Sequence, residues 1–301
     1  MMLRKLVSAL SSPVDLAYRG RAALAPRGLW NRYAERCRGA GLNKLYFVLS
    51  FDCDTVEDAE VAWSVHSRLL DMGVMPVYAV PGELLNRGEA VYRKILETGA
   101  EFINHGYREH TYFDSDRGAY ASCFFYDQQP RETVREDIVQ GDRNLRETLG
   151  VQARGFRAPH FGTFQRPAQL RFQHQVLREL GYAFSTSTVP TYAYRFGPVF
   201  RRFGLAEIPV SGMGARPLHI LDTWTCFEAP NRRFQPQDYL QEGGLAAERF
   251  AAIGAGILNY YADPSHIHDR PEFFETVARW AQVAKPVTYV KLLEELQCNA
   301  A

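Results

Sequence analysis

The stretch Leu45-Tyr46-Phe47-Val48-Leu49-Ser50-Phe51-Asp52-Cys53-Asp54-Thr55 decides how this chain is read. Leu45–Leu49 is an unbroken apolar run, the pattern of a strand buried on both faces. Two carboxylates, Asp52 and Asp54, stand at its C-terminal end. Buried carboxylates are costly unless a cation or a proton-transfer role stabilises them. In α/β folds that end of a strand is where ligands and catalytic groups collect. A plainer reading makes the same residues a helix start, with Asp54 as the cap and Asp58 and Glu60 in the first turn.

Working outward, strand-like and helix-like segments alternate. A helix is expected over Val56–Met72, a strand at 75–80, a helix over Gly82–Glu97 and a strand at Ala100–Asn104. A polar and aromatic loop, 105–129, precedes an amphipathic helix from Pro130 to Leu149 that stops at Gly150. A strand around Gly155–Arg157, a helix at 168–180 and a strand at 182–186 follow. Further strands are expected at 205–210, 220–226 and 256–261, with helices at 237–253 and 271–284 and a last segment, 287–296. Repeated βα units of this size imply a mainly parallel sheet, open or closed into a barrel.

The 301 residues, 46% hydrophobic, suffice for a substantial core. Lys+Arg 35 against Asp+Glu 34 leaves a net charge of +1, so no global field draws the chain to nucleic acid. Five scattered cysteines with no CxxC argue against a zinc knuckle or a disulfide framework and for a reducing compartment. The apolar start is interrupted early by Ser11, Ser12, Pro13 and Asp15, and no run approaches the roughly 18 residues of a membrane span. A soluble, cytoplasmic protein is the expectation. Residues 1–43 are Arg-rich and read as a basic, helical N-terminal extension to a single domain, 44–301. That extension is either packed on the domain or in peripheral contact with an anionic membrane.

Three more chemistry-bearing segments follow expected strands: Asn104-His105-Gly106-Tyr107-Arg108-Glu109-His110, Arg157-Ala158-Pro159-His160-Phe161-Gly162, and Asn259-Tyr260-Tyr261-Ala262-Asp263-Pro264-Ser265-His266. Each alone is a weak signal. Together they gather Asp, His and Arg on one rim, a nitrogen and oxygen donor set suited to a divalent metal such as zinc.

Phe51-Asp52-Cys53-Asp54, then His105 and His110, then Arg157-Ala158-Pro159, in this order, resemble the polysaccharide deacetylases of carbohydrate esterase family 4. The resemblance covers roughly Leu45 to Pro264, including Leu180-Gly181-Tyr182 and Glu207-Ile208-Pro209-Val210. It implies a distorted (β/α) barrel of about seven parallel strands and a metal-dependent N-deacetylase of sugars. Asp52 matches the general base, and Asp54, His105 and His110 match the ligands of Zn²⁺ or a similar transition metal. Arg157 matches the arginine that holds the base, and the N–H of His160 the oxyanion donor. The implied partner is an N-acetylated or N-formylated sugar or glycan intermediate.

Three departures stand out. The family's histidines lie at i and i+4, whereas four residues separate His105 from His110 here. Such a pair points about 140° apart on an ideal helix, so the loop must bulge, with Gly106 the candidate, and Glu109 at i+4 competes with His110 as the ligand. The late Leu-His motif that supplies the general acid reads Leu258-Asn259, leaving His266, and after it His160, as candidate acids. No acidic residue that would tune that histidine is visible in Ser185-Thr186-Ser187-Thr188. Two rival readings follow. One is a metal-free glycan-binding relative; the other is a haloacid-dehalogenase-type phosphatase built on Asp52-Cys53-Asp54-Thr55-Val56.

Overall fold

Leu45–Asp52 forms strand β1, buried along its whole length, in a computed structural model that describes residues 17–18, 20, 25–116, 118–229 and 234–298. The strands after it are β2 (Val77–Val80), β3 (Glu101–Asn104), β4 (Thr111–Asp114), β5 (Ala119–Ser122), β6 (Gly155–Phe156), β7 (Phe184–Ser185), β8 (Ala206–Glu207), β9 (Gly256–Ala262) and β10 (Lys285–Pro286). Parallel pairing runs β1-β2-β3-β6-β7-β8, and β9 pairs with β1 along the other edge, from Leu45↔Gly256 to Phe51↔Ala262. The sheet curls until the segment after β8 meets β9. Ser211 N–H donates to the Asn259 carbonyl at 2.7 Å, and the Asn259 amide donates to the Ile208 and Pro209 carbonyls at 3.1 and 3.0 Å. The result is a distorted barrel of seven parallel strands, as the resemblance implied.

β10 is an eighth, short strand. It takes the N-terminal part of the β1 edge whose C-terminal part pairs with β2. It delivers Tyr289 into the barrel interior, where that side chain is fully buried.

The helix Val56–Asp71 shows how local chemistry sets the site. Its cap is Thr55, whose hydroxyl accepts the Asp58 N–H at 3.3 Å while the Asp58 carboxylate accepts the Thr55 N–H at 2.9 Å. This reciprocal capping satisfies the first-turn donors without Asp54. The Asp54 carboxylate is therefore not consumed as a helix cap.

The expected helix over 82–97 is two helices, Gly82–Arg87 and Glu89–Leu96. They break at Gly88, where a Cβ would lie 2.7 Å from Tyr92 and 2.9 Å from Ala59. The loop expected at 105–129 contains the antiparallel hairpin β4–β5. The strand expected at 220–226 is instead a π-helical turn, Trp224–Glu228. Asp222 accepts both the N–H and the hydroxyl of Thr225, at 2.7 and 2.8 Å. This side-chain turn wins over the β-propensity of the run.

Within the N-terminal extension, helix Pro26–Gly39 buries Leu29, Trp30, Tyr33 and Cys37. Trp30 lies edge-on to Tyr194 and Phe250, and Tyr33 Oη accepts the Ile257 N–H at 3.1 Å. The membrane contact expected of residues 1–43 falls partly on 1–16, 19 and 21–24, which lie outside the described residues. Among the described residues no helix is long and apolar enough to cross a membrane, and Cys37, Cys53, Cys123 and Cys226 are free thiols.

Candidate metal and active site

The C-terminal ends of β1, β3, β6 and β9 bring the sequence-derived residues to one rim. Asp54, His105 and His110 converge so that one ligand atom of each lies within 4.8 Å of the others. His110 Nε2 is 3.1 Å and His105 Nε2 3.4 Å from the same Asp54 oxygen. Both imidazoles are buried. His105 Nδ1 donates to the Arg157 carbonyl at 2.8 Å, which fixes the tautomer and leaves Nε2 as a lone-pair donor. That Nε2 is a buried polar atom with no hydrogen-bond partner. A buried, orphaned imidazole nitrogen facing a carboxylate and a second imidazole fits a divalent cation between them.

The spacing of the two histidines is accommodated by an extended loop rather than a helical turn. Gly106 has φ +82°, and its N–H donates to Asn104 Oδ1 at 2.8 Å. A Cβ at 106 would sit 2.3 Å from an oxygen of Asp137, so the position requires glycine. Asp137 also accepts the Arg108 N–H at 2.9 Å and the Tyr126 hydroxyl at 2.6 Å. Glu83 accepts the Glu109 N–H at 2.7 Å. The Glu109 side chain is turned to Arg87, with which it pairs through both oxygens. Of the two competitors, His110 is therefore the one placed beside Asp54.

Asp52 is held by Arg157, whose Nη1 donates to it at 2.5 Å. The guanidinium is fully buried beside the paired rings of Phe161 and Tyr261, 5.3 and 5.6 Å from their centroids, and its Nη2 donates to Tyr289 Oη at 2.7 Å. Tyr289 in turn donates to Asn259 Oδ1 at 2.7 Å. Asn259, where the late motif was sought, thus closes the barrel and leaves no acid at that position.

His266 lies at the end of β9 with Nδ1 3.2 Å from Asp263, and Thr223 donates to the same carboxylate at 2.8 Å. Burial disfavours its cation, but Asp263, with Asp58 and Glu228, overrides this and pushes its pKa up to about 9. His160, at φ +57°, donates through Nε2 to the Cys123 carbonyl at 2.7 Å. Burial, with His110 nearby, lowers its pKa to about 4. A neutral imidazole already donating to a carbonyl is poorly suited to supply a proton. Burial would raise the Asp54 carboxyl, yet the two imidazoles hold it well below the usual carboxylate range. At Asp52 burial prevails over Arg157 and His105, with Asp54 and Asp263 adding to the rise.

Asp137, Glu83, Thr223 and Tyr289 had no assigned place in the sequence reading. Asp137 carried a legible signal, since it lies with Val134, Ile138 and Leu145 on the buried side of helix Arg131–Leu149. A carboxylate on that stripe needs partners. Tyr289 carried none.

The polysaccharide deacetylase family model matches residues 41–185. A Mycobacterium smegmatis structure named as a polysaccharide deacetylase shares 17% identity, covering 86% of this chain and 92% of that one, with TM-score 0.60. A mutant of a Bacillus anthracis CE4 family pseudoenzyme, with restored enzymatic activity, shares 16% identity over 84% of this chain and 69% of that one, with TM-score 0.50. A further mutant of the same pseudoenzyme has 15% identity, coverages of 84% and 68%, and TM-score 0.50. At these identities the likeness is one of fold. No curated protein matches.

Proposed function

From the match of residues 41–185 to the polysaccharide deacetylase family, we propose that this chain is a metal-dependent amide hydrolase that removes an N-acetyl or N-formyl group from a sugar or glycan intermediate. The observation that carries the reading is the convergence of Asp54, His105 and His110 beside the Asp52–Arg157 ion pair. A divalent cation such as zinc, when bound there, polarises the amide carbonyl and acidifies water. Asp54 and the Nε2 atoms of His105 and His110 would hold it.

Asp52 accepts the proton of the attacking water, and Arg157 keeps its carboxylate aimed and opposes the rise that burial imposes on it. The backbone N–H of His160 donates to the oxyanion that develops on the carbonyl oxygen. The left-handed backbone at that residue is the kind of strain that persists at functional turns. As the C–N bond breaks, the leaving amine takes a proton from the His266 imidazolium, which Asp263 stabilises. The products are a free amine on the sugar and acetate or formate. The tight Arg157 pairing of Asp52 favours a base over the covalent nucleophile that a phosphatase reading needs. An uncharged, N-acylated sugar is the substrate class, and a cytoplasmic location would suit a biosynthetic intermediate.

Purified protein should carry one zinc or similar ion, and His105→Ala should abolish stoichiometric metal. Asp52→Asn should keep metal and fold and lose about 10²-fold or more in acetate release from N-acetylated sugars. Metal retained in His105→Ala, or full activity in Asp52→Asn, overturns the assignment.

A further inference from the structure

Asp58 is a fully buried carboxylate to which the hydrolytic scheme gives no work. Its Oδ2 accepts the Thr55 N–H at 2.9 Å and the Thr55 hydroxyl at 2.8 Å, the ordinary duty of a capping residue in a first turn. Capping alone does not call for burial, which disfavours the charge. The second oxygen supplies a reason for it. Oδ1 accepts the Ser265 N–H at 2.8 Å, from a segment 207 residues further along the chain. The two partners are sequence neighbours of two groups in the scheme. Thr55 follows Asp54, and Ser265 precedes His266.

His266 sits in the helix Pro264–Ile267, and four residues are too few for a helix to hold itself. Its N–H returns to the Asp263 carbonyl at 3.1 Å, and its Nδ1 lies 3.2 Å from both Asp263 and Thr223. Those contacts set the imidazole within its own turn. The Asp58 carboxylate adds the hydrogen bond that joins this turn to the one after β1. We propose that Asp58 is a positioning residue, the clasp that holds the proton-donor turn on the metal-bearing turn. It acts through Thr55 and Ser265 and fixes how far His266 stands from Asp54. Amide cleavage needs the cation at the carbonyl oxygen and the donor at the nitrogen of the same group, so a misplacement of about 1 Å costs on the order of 10²-fold. The effect on turnover rests on the hydrolase reading above; the clasp itself is read without turnover. Asp263 and His266 face Asp58, and Glu228 and Asp222 also face His266. Burial first and Asp263 second raise the Asp58 carboxyl to about 7, against His266 and the Ser265 N–H. The clasp is closed in the ionised form, above that value.

The experiment uses the zinc-loaded full chain. By NMR the wild-type Ser265 amide should be protected from exchange and should follow the Asp58 carboxyl on one titration curve near pH 7, a readout that needs no variant. Asp58→Asn leaves one end of the clasp facing an NH₂ donor whichever way the amide turns. It should open the Ser265 amide to exchange and lower the His266 titration midpoint from about 9. It should also cut kcat about 10- to 100-fold with KM and zinc content unchanged. Thr55→Ala removes the hydroxyl and keeps both backbone donors, so it should lower thermal stability and leave the His266 midpoint and kcat as in wild type. An unprotected Ser265 amide in wild type overturns the clasp, as does an Asp58→Asn protein whose His266 titrates as in wild type. Equal loss of kcat in Asp58→Asn and Thr55→Ala also overturns it, in favour of a helix cap only. A lowered His266 midpoint in Asp58→Asn, with no acetate released from N-acetylated sugars by wild type, supports the clasp and refutes the hydrolase. Acetate release with an unmoved midpoint does the reverse.

Discussion

Asp52 and Asp54 stand two positions apart, yet their surroundings move their carboxyls in opposite directions. Burial raises Asp52 despite its arginine, whereas two imidazoles overcome burial and hold Asp54 low. Environments that separate two such groups suit the different work proposed for them, a proton acceptor and an anionic ligand. His266 makes the matching argument on the acid side. The charged groups facing it are Asp263, Asp58, Glu228 and Asp222, with Thr223 and Trp224 completing its surroundings. Its proton stays on below about pH 9 and leaves above it. Turnover should therefore fall on the alkaline side with a midpoint near that value. Asp263→Asn should pull this limb toward about 6.5, the ordinary histidine value. His266→Ala should erase the limb and cut turnover about 10²-fold with metal still bound. An alkaline limb that neither variant moves would assign the proton donor elsewhere.

At the scale of elements, the loop 105–110 does what a helical turn could not. It wraps two histidines onto one carboxylate because Gly106 reverses the backbone and Asp137 and Glu83 hold its amides. Asp137→Asn keeps the shape and removes the charge that gathers these donors. Zinc affinity should drop about 10–100-fold, the scale for groups that orient ligands. Competition with a chromogenic chelator measures this, and an unchanged affinity would show the loop to be self-supporting. The sequence disclosed this bulge through a mismatch of spacing, and glycine was the residue to suspect. It also disclosed β1 and the long helices, because their periodicity is set by burial. It misled at 220–226, where one aspartate captured Thr225 and wound the chain into a π turn, an outcome of side-chain hydrogen bonding that hydropathy does not encode. It offered Asp263, three residues before His266, as the carboxylate that would raise that histidine, and the two lie 3.2 Å apart, whereas the acidic tuner expected from the resemblance is absent from 185–188. Ser185 and Ser187 in that loop instead bond each other, and Ser187 holds the Ala158 N–H at 2.9 Å.

Over the whole molecule, stability draws on polar pairs within the barrel wall as well as on the apolar core. Glu207 and His174 are both fully buried, 2.9 Å apart, and Glu207 also accepts the N–H groups of Ser187 and Thr188 at 2.8 and 3.0 Å. Burial would raise the Glu207 carboxyl, but His174 and these donors hold it below its ordinary value. The native state thus binds fewer protons there than the unfolded chain. The stabilisation is present above the ordinary carboxylate range and is lost as pH falls through the lowered native value. Glu207→Gln should cost about 3 kcal/mol or more at pH 7 and flatten the acid side of the stability profile. Urea midpoints at pH 7 and pH 4 check this; parallel shifts at both would contradict it. Tyr289 has a consequence in time. A chain leaves the ribosome from its N-terminus and folds as it emerges. Asp52, Asp54, His105, His110 and Arg157 all precede Tyr289 on the chain. The hydroxyl that receives the second arm of Arg157 is made 132 residues after it, on the segment that also fills the open edge of β1. Until then the guanidinium beneath Asp52 has one partner too few. Translation itself thus orders the contacts: a nascent or prematurely stopped chain can carry Asp54, His105 and His110 and still lack the second partner of Arg157.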